Sequence, residues 1–421
     1  MFSFISIYSK KIANLAFSLG AVRKFLYILY FFLFISTYYC SPNFQSANSP
    51  KNADNLFARI QSVISNTSIP YEIRGLSVDE NGNIFSLINR LRTTDSILLK
   101  ISTSGKSEFI STNKLCLQYD YNLPLNNLAN KFGSNFYSVH CSNLQILKIG
   151  PSGTFSVFAG ADTAGTSDGT VANASFVNVS LIVMDTIGNI FVSDNKTKIR
   201  KITQGGVVTT LAGSDAPGAL DGTGTSAKFS YIRNMTIDSS GNILVSDNLE
   251  KIRKITSIGV VTTLASLRFI IDMIIDSFGN IFVSEGGTKI TKITSGGVVT
   301  TLAGSDKHGS GDGSGTNASF MLIEQMIIDS SGNIFVSDGQ TKIRKITQDG
   351  VVTTLAGSDA PGELDGTGTS AKFSYIRNMT IDSSGNILVS DGIGTAVKIR
   401  KITLNGTVST VNFSIPEGIL K

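Results

Sequence analysis

One phrase governs this chain of 421 residues: Asp-x-x-Gly-Asn followed by a short apolar run. It occurs at Asp79, Asp185, Asp238, Asp276, Asp329 and Asp382, and an eroded copy begins at Asn130. The steps between these anchors are 51, 55, 53, 38, 53 and 53 residues. A unit of that length holds four short strands and their turns, and one such sheet cannot bury both its faces alone. Neighbouring units must therefore stack.

The fourth unit shows the pattern. Asn234–Asp238 reads as strand A, Asn242–Asp247 as B, Lys251–Thr256 as C and Val260–Ala265 as D. Ser239-Ser240-Gly241-Asn242 and Ser257-Ile258-Gly259 supply the positive φ that tight hairpins need. Composition agrees: 41 glycines and 16% charged residues suit strands and turns, not long helices. The expected fold is all-β, a β-propeller of four-stranded blades, seven by count with six as the alternative. Pro416–Leu420 resembles the start of a further strand A and Arg59–Ser65 a stray strand, so the two ends could share one blade. Residues 197–247 and 341–391 match at an offset of 144 except for Gly205/Asp349 and Ala219/Glu363, so three blades were copied together.

The run Asp-x-x-Gly-Asn, then Lys-Ile-Arg-Lys-Ile-Thr, then Gly-Val-Val-Thr-Thr-Leu-Ala-Gly resembles the NHL repeat family of β-propellers. The resemblance spans about residues 75–413, with units near 75–111, 123–160, 180–213, 233–266, 271–304, 324–357 and 377–413. The Asn-His-Arg stretch of that family is replaced by Lys196-Thr197-Lys198 and Gln340-Thr341-Lys342. The resemblance implies six blades most often, binding to partners, RNA among them, and in enzymatic relatives such as lyases and lactonases a divalent metal held by histidines and carboxylates in the channel.

The residues offer little of that chemistry. His140 and His308 stand at unrelated positions of the repeat and cannot make a three-histidine zinc site. No catalytic residue is assigned. Loops between D and the next A carry Gly-x-x-Asp-Gly-Thr/Ser and a later Phe, around Asp168, Asp221, Asp312 and Asp365, and their face is the expected binding surface. Asp215, Asp221, Asp306 and Asp312 are weak calcium candidates, with an Asx-turn as the plainer reading; no other cofactor is expected. The Phe (176, 229, 320 and 373) reads as a wedge between blades. The anchor aspartates read as turn formers, and Asp194, Asp247, Asp338, Asp391 and Glu285 as similar fixtures of the B-to-C loop. The basic C strands read as solvated outer edges guarded by lysine, and nucleic acid is not an expected partner.

Residues 1–39 combine Lys10, Lys11, Arg23 and Lys24 with the apolar run Phe25–Ile35, a signal peptide or an uncleaved anchor. Cys40 then resembles the lipidated cysteine of a bacterial lipoprotein, with bulky Tyr38 and Tyr39 before it, and residues 40–56 form a polar tether ahead of the propeller at 57–421. Cys116 and Cys141 remain, as a disulfide or as two buried thiols. The expectation is a monomeric, exported cell-envelope scaffold, membrane-attached through its N-terminus, that binds an envelope or extracellular protein or glycan. A metal-dependent lyase or hydrolase with a channel site is the alternative.

Overall fold

In the computed structural model each repeat becomes one small antiparallel sheet whose first strand lies innermost. The chain divides into two units, Met1–Ser68 and Ile69–Lys421. The structure describes residues 71–412, apart from 80, 91–95, 105, 112–129, 133–134, 141–143, 151–153, 172 and 393–396. Seven sheets follow one another over 71–111, 130–159, 179–213, 232–266, 270–304, 323–357 and 376–410, numbered here as blades 1 to 7. The fold is a seven-bladed β-propeller. Blade 4 is typical: strand A is Ile232–Ile237, B is Ile243–Asp247, C is Lys251–Ile255 and D is Val260–Ser266.

The A-to-B turn forms as its sequence dictates. In blade 4 one oxygen of Asp238 accepts the N–H groups of Ser240 and Asn242 at 3.0 and 2.7 Å, and the other accepts the Asn242 amide. Asp79, Asp185, Asp276, Asp329 and Asp382 repeat this arrangement. Their carboxylates fix the hairpin, as expected.

Four blades carry a fifth strand that the repeat did not announce. Two residues of the D-to-A loop, Gly169–Thr170, Gly222–Thr223, Gly313–Ser314 or Gly366–Thr367, add antiparallel to the outer edge of strand D in blades 3, 4, 6 and 7. Strand D, the edge strand of a four-stranded blade, is therefore flanked on both sides over these two residues.

The cores lie between blades. Leu181, Phe191, Ile199 and Ala212 of blade 3 pack with Phe229, Ile232, Ile243 and Val245 of blade 4, and the other blade junctions repeat the scheme. Blades 1 and 2 meet through Phe85 and Phe136, with ring centroids 4.5 Å apart. Phe176, Phe229, Phe320 and Phe373 are the expected wedges, each fully buried. The ring closes by packing Ile73, Leu99 and Ile101 of blade 1 on Leu388, Val397 and Ile399 of blade 7. Asn378 also donates across that junction to the Ile73 carbonyl at 2.9 Å. Residues 59–65 and 413–421 lie outside the described residues, so blades 1 and 7 as described are each built from one continuous stretch of strands A to D.

Candidate interaction surface: clamped loops on one face

The central Arg of each Lys-Ile-Arg-Lys-Ile strand corrects the expectation of a solvated basic edge. Arg200, Arg253, Arg344 and Arg400 are fully buried. A buried guanidinium is costly unless its donors are matched, and here its two terminal nitrogens are matched by two carboxylates and two carbonyls; Nε of Arg253 and Arg400 donates to the insert aspartate as well, whereas Nε of Arg200 and Arg344 has no partner among the described residues. In blade 4 Arg253 Nη1 donates to Asp247 at 2.9 Å and to the Lys228 carbonyl at 3.3 Å. Its Nη2 donates to Asp221 at 2.7 Å and to the Leu220 carbonyl at 2.8 Å. The cation also stands 5.2 Å from the Phe229 ring centroid. Arg200 with Asp168 and Asp194, Arg344 with Asp312 and Asp338, and Arg400 with Asp365 and Asp391 repeat the clamp.

Each insert aspartate has further work. Asp221 accepts the N–H and hydroxyl of Thr263 on strand D at 2.9 and 3.0 Å. Burial opposes ionisation of Asp221, yet Thr263 and the Arg253 guanidinium together hold its carboxyl below the usual range. Asp312 and Asp365 are lowered in the same way, against burial, by Thr354 with Arg344 and by Thr410 with Arg400. The second aspartate row also differs from expectation. Asp247 does not cap the B-to-C loop; it accepts the N–H groups of Ser230 and Tyr231, where the insert enters strand A, at 2.8 and 2.9 Å. Asp194, Asp338 and Asp391 do the same.

The insert is tied to the blade before it as well. Lys198 donates to Asp215 at 2.6 Å and Lys342 to Asp359 at 2.6 Å. Gly213 ends strand D at φ +90°, where a Cβ would lie 2.2 Å from the Thr197 carbonyl and 2.9 Å from Phe229. Glycine is therefore what admits the wedge.

The residues singled out from the sequence thus separate. Asp168, Asp221, Asp312 and Asp365 do lie in one class of loop, but each is held by an arginine of its own blade. Among the calcium candidates Asp221 and Asp312 meet arginine, Asp215 meets Lys198 and Asp306 meets Lys289 at 3.1 Å, so all four carboxylates are already compensated. Among the described residues no three of His, Cys, Asp and Glu converge as metal ligands would. His308 is fixed in its loop by a 2.8 Å contact from Nδ1 to the Met321 carbonyl, and His140 belongs to a different blade. Cys40, Cys116 and Cys141 lie outside the described residues.

Two features went unread in the sequence. The arginine clamp had a signal: blade 5, whose preceding connection lacks the insert, has Thr291 for Arg and Glu285 for Asp, and strand D of blade 4 before it ends in Ser266 where the inserts of the other blades follow a Gly. Thr291 donates to Glu285 at 2.7 Å, the extra methylene of Glu spanning part of the space that Arg fills elsewhere. The second feature is Asp272 on strand A of blade 5, buried and facing no cation in its hydrogen bonds. It accepts Met273 N–H and, across to blade 6, Met326 N–H, both at 2.8 Å, and burial pushes its carboxyl up to about 6.

No family model and no curated protein matches the chain. Among solved structures, a streptogramin B lyase superposes with a TM-score of 0.53 at 14% identity, over 82% of this chain and 94% of that one. A protein from Lactobacillus plantarum gives 0.51 at 13% identity, over 79% and 95%. A gluconolactonase from Xanthomonas campestris gives 0.39 at 12% identity, over 66% and 82%. The first two likenesses concern the propeller fold. Among the described residues no helix is long and apolar enough to cross a membrane.

Proposed function

We propose that this propeller is a non-catalytic binding scaffold of the NHL-repeat type, exported to the bacterial cell envelope and holding a protein or glycan partner on its D-to-A loop face. The observation that carries the reading is the fourfold clamp. It holds four inserts in one conformation, so a partner meets preformed loops and the ordering cost falls on folding instead of on binding. Leu220 and Leu364, at equivalent tips of these loops, are each more than half exposed beside the committed aspartates. A repeated apolar tip on a rigid loop suits recognition.

The test is capture of envelope components by the full chain, compared with a Leu220→Ser/Leu364→Ser chain. Retention lost in the double variant supports the loop face; equal retention by both places binding elsewhere. Attachment through Cys40 is proposed on the sequence pattern, and mass spectrometry of the mature N-terminus tests it. An acylated Cys40 is the expected result, and an unmodified one or an intact residue 1 counts against lipidation.

A further inference from the structure

Blade 5 is built like its neighbours but lacks the strand that covers theirs. In blades 3, 4, 6 and 7 a Gly-Thr or Gly-Ser pair from the insert lies along strand D, and beneath it Val208, Val261, Val352 and Val408 are at most 2% exposed. The equivalent Val299 of blade 5 is 45% exposed and Val298 before it 60%. In the covered blades Thr210, Thr263, Thr354 and Thr410 donate their backbone N–H outward to an insert aspartate at 2.9–3.0 Å. Thr301 holds that position in blade 5 with no carboxylate before it. The Gly297 carbonyl likewise matches those of Gly206, Gly259, Gly350 and Gly406, each of which accepts an insert N–H.

The chain cannot close this edge from the adjacent connection. Only Leu267, Arg268 and Phe269 link strand D of blade 4, ending at Ser266, to strand A of blade 5, starting at Ile270. Three extended residues span at most about 11 Å. Strand D here, Val299–Gly304, also carries no Lys or Pro to discourage pairing.

We propose that this outer edge takes up an extended, uncharged Gly/Ser/Thr-rich segment of a partner polypeptide by antiparallel strand addition. The four occupied blades state the register and the side-chain size the edge accepts. They also state the charge. Where the insert carries Asp, strand C supplies Arg; blade 5 has Thr291 there, and its Glu285 carboxylate is already engaged by Thr291 at 2.7 Å and Lys289 at 3.6 Å, so an acidic segment finds no guanidinium in the place Arg253 takes in blade 4. The inference deepens the binding-scaffold reading and rests on it, but it concerns the blade rim and not the loop tips, so each fails on its own measurement.

The probe is a labelled, end-blocked synthetic peptide copying residues 218–227 with Asp221→Ser, titrated against the full chain and compared with the unaltered Asp-containing peptide. The expected result is saturable binding that favours the Ser peptide. Thr301→Pro removes the outward donor without touching the ladder to strand C and should weaken binding roughly fivefold or more. Should that variant not fold, replacing Ser266–Phe269 by a copy of residues 213–231 carrying Asp221→Ser covers the edge internally and should abolish binding. Glu285→Asp/Thr291→Arg should reverse the preference toward the Asp peptide. Absence of saturable binding, binding unchanged by the edge variants, or self-association of the chain through this edge would overturn the proposal.

Discussion

At the residue scale the clamp joins two opposite effects. Removing a guanidinium leaves two carboxylates facing each other, one of them fully buried, and breaking a buried pair from one side is far more costly than a surface pair is valuable. Arg253→Ala is expected to lower unfolding stability by about 3–5 kcal/mol, read by chemical denaturation. Lys201→Ala, on the same kind of strand but facing outward, should cost less than about 1 kcal/mol. Asp272 gives a second test, with a definite sign. Its folded carboxyl sits near 6, above the unfolded value of about 3.9, so between those limits the folded state binds more protons. Stability associated with this group is therefore greatest below pH 4 and declines as pH rises toward 6. Asp272→Asn should remove that slope, about 2–3 kcal/mol across the window, in denaturation series at fixed pH values. The insert aspartates work in the other direction: Asp221, Asp312 and Asp365 are held low, so their contribution is present above the ordinary carboxylate range and is lost on acidification.

At the element scale, insert, strand C and the end of the preceding strand D form one unit. Gly213→Ala forces a Cβ onto the Thr197 carbonyl at a positive φ and should cost upwards of about 2 kcal/mol, whereas Ser266→Ala should be nearly neutral in the same melting assay. This is also where sequence reading reached its limit. The hairpins were legible because Asp-x-x-Gly-Asn makes its bonds within five residues, so local chemistry determines local structure. Asp221 and Arg253 lie 32 residues apart, and a buried arginine looks like a solvated one until its carboxylates are placed around it. The wedge role of Phe229 was legible because a lone aromatic in a Gly-rich loop has few other uses; the fifth strand was not, since two residues carry no periodicity.

At the scale of the molecule, the ring holds by contacts between neighbours, and its ends are joined by the same kind of packing. The junction of blades 1 and 7 rests on Ile73, Leu99, Ile101, Leu388 and Ile399, with Asn378 bridging. Leu99→Ala should cost about 2–5 kcal/mol and make blade 1 the first region to lose amide protection in hydrogen exchange.

The clamp also bears on how such a ring can change size. Its Arg and both Asp belong to one blade and the loop entering it, so a stretch copied from one strand C to another carries every partner its loops require. The near-identity of residues 197–247 and 341–391 is what such copying leaves behind. A blade that brings its own lock asks of the blade before it only the Lys and Gly that strands C and D of the repeat already supply. Blade 5, having given up the lock together with the loop, leaves an open seam between two blades that kept theirs.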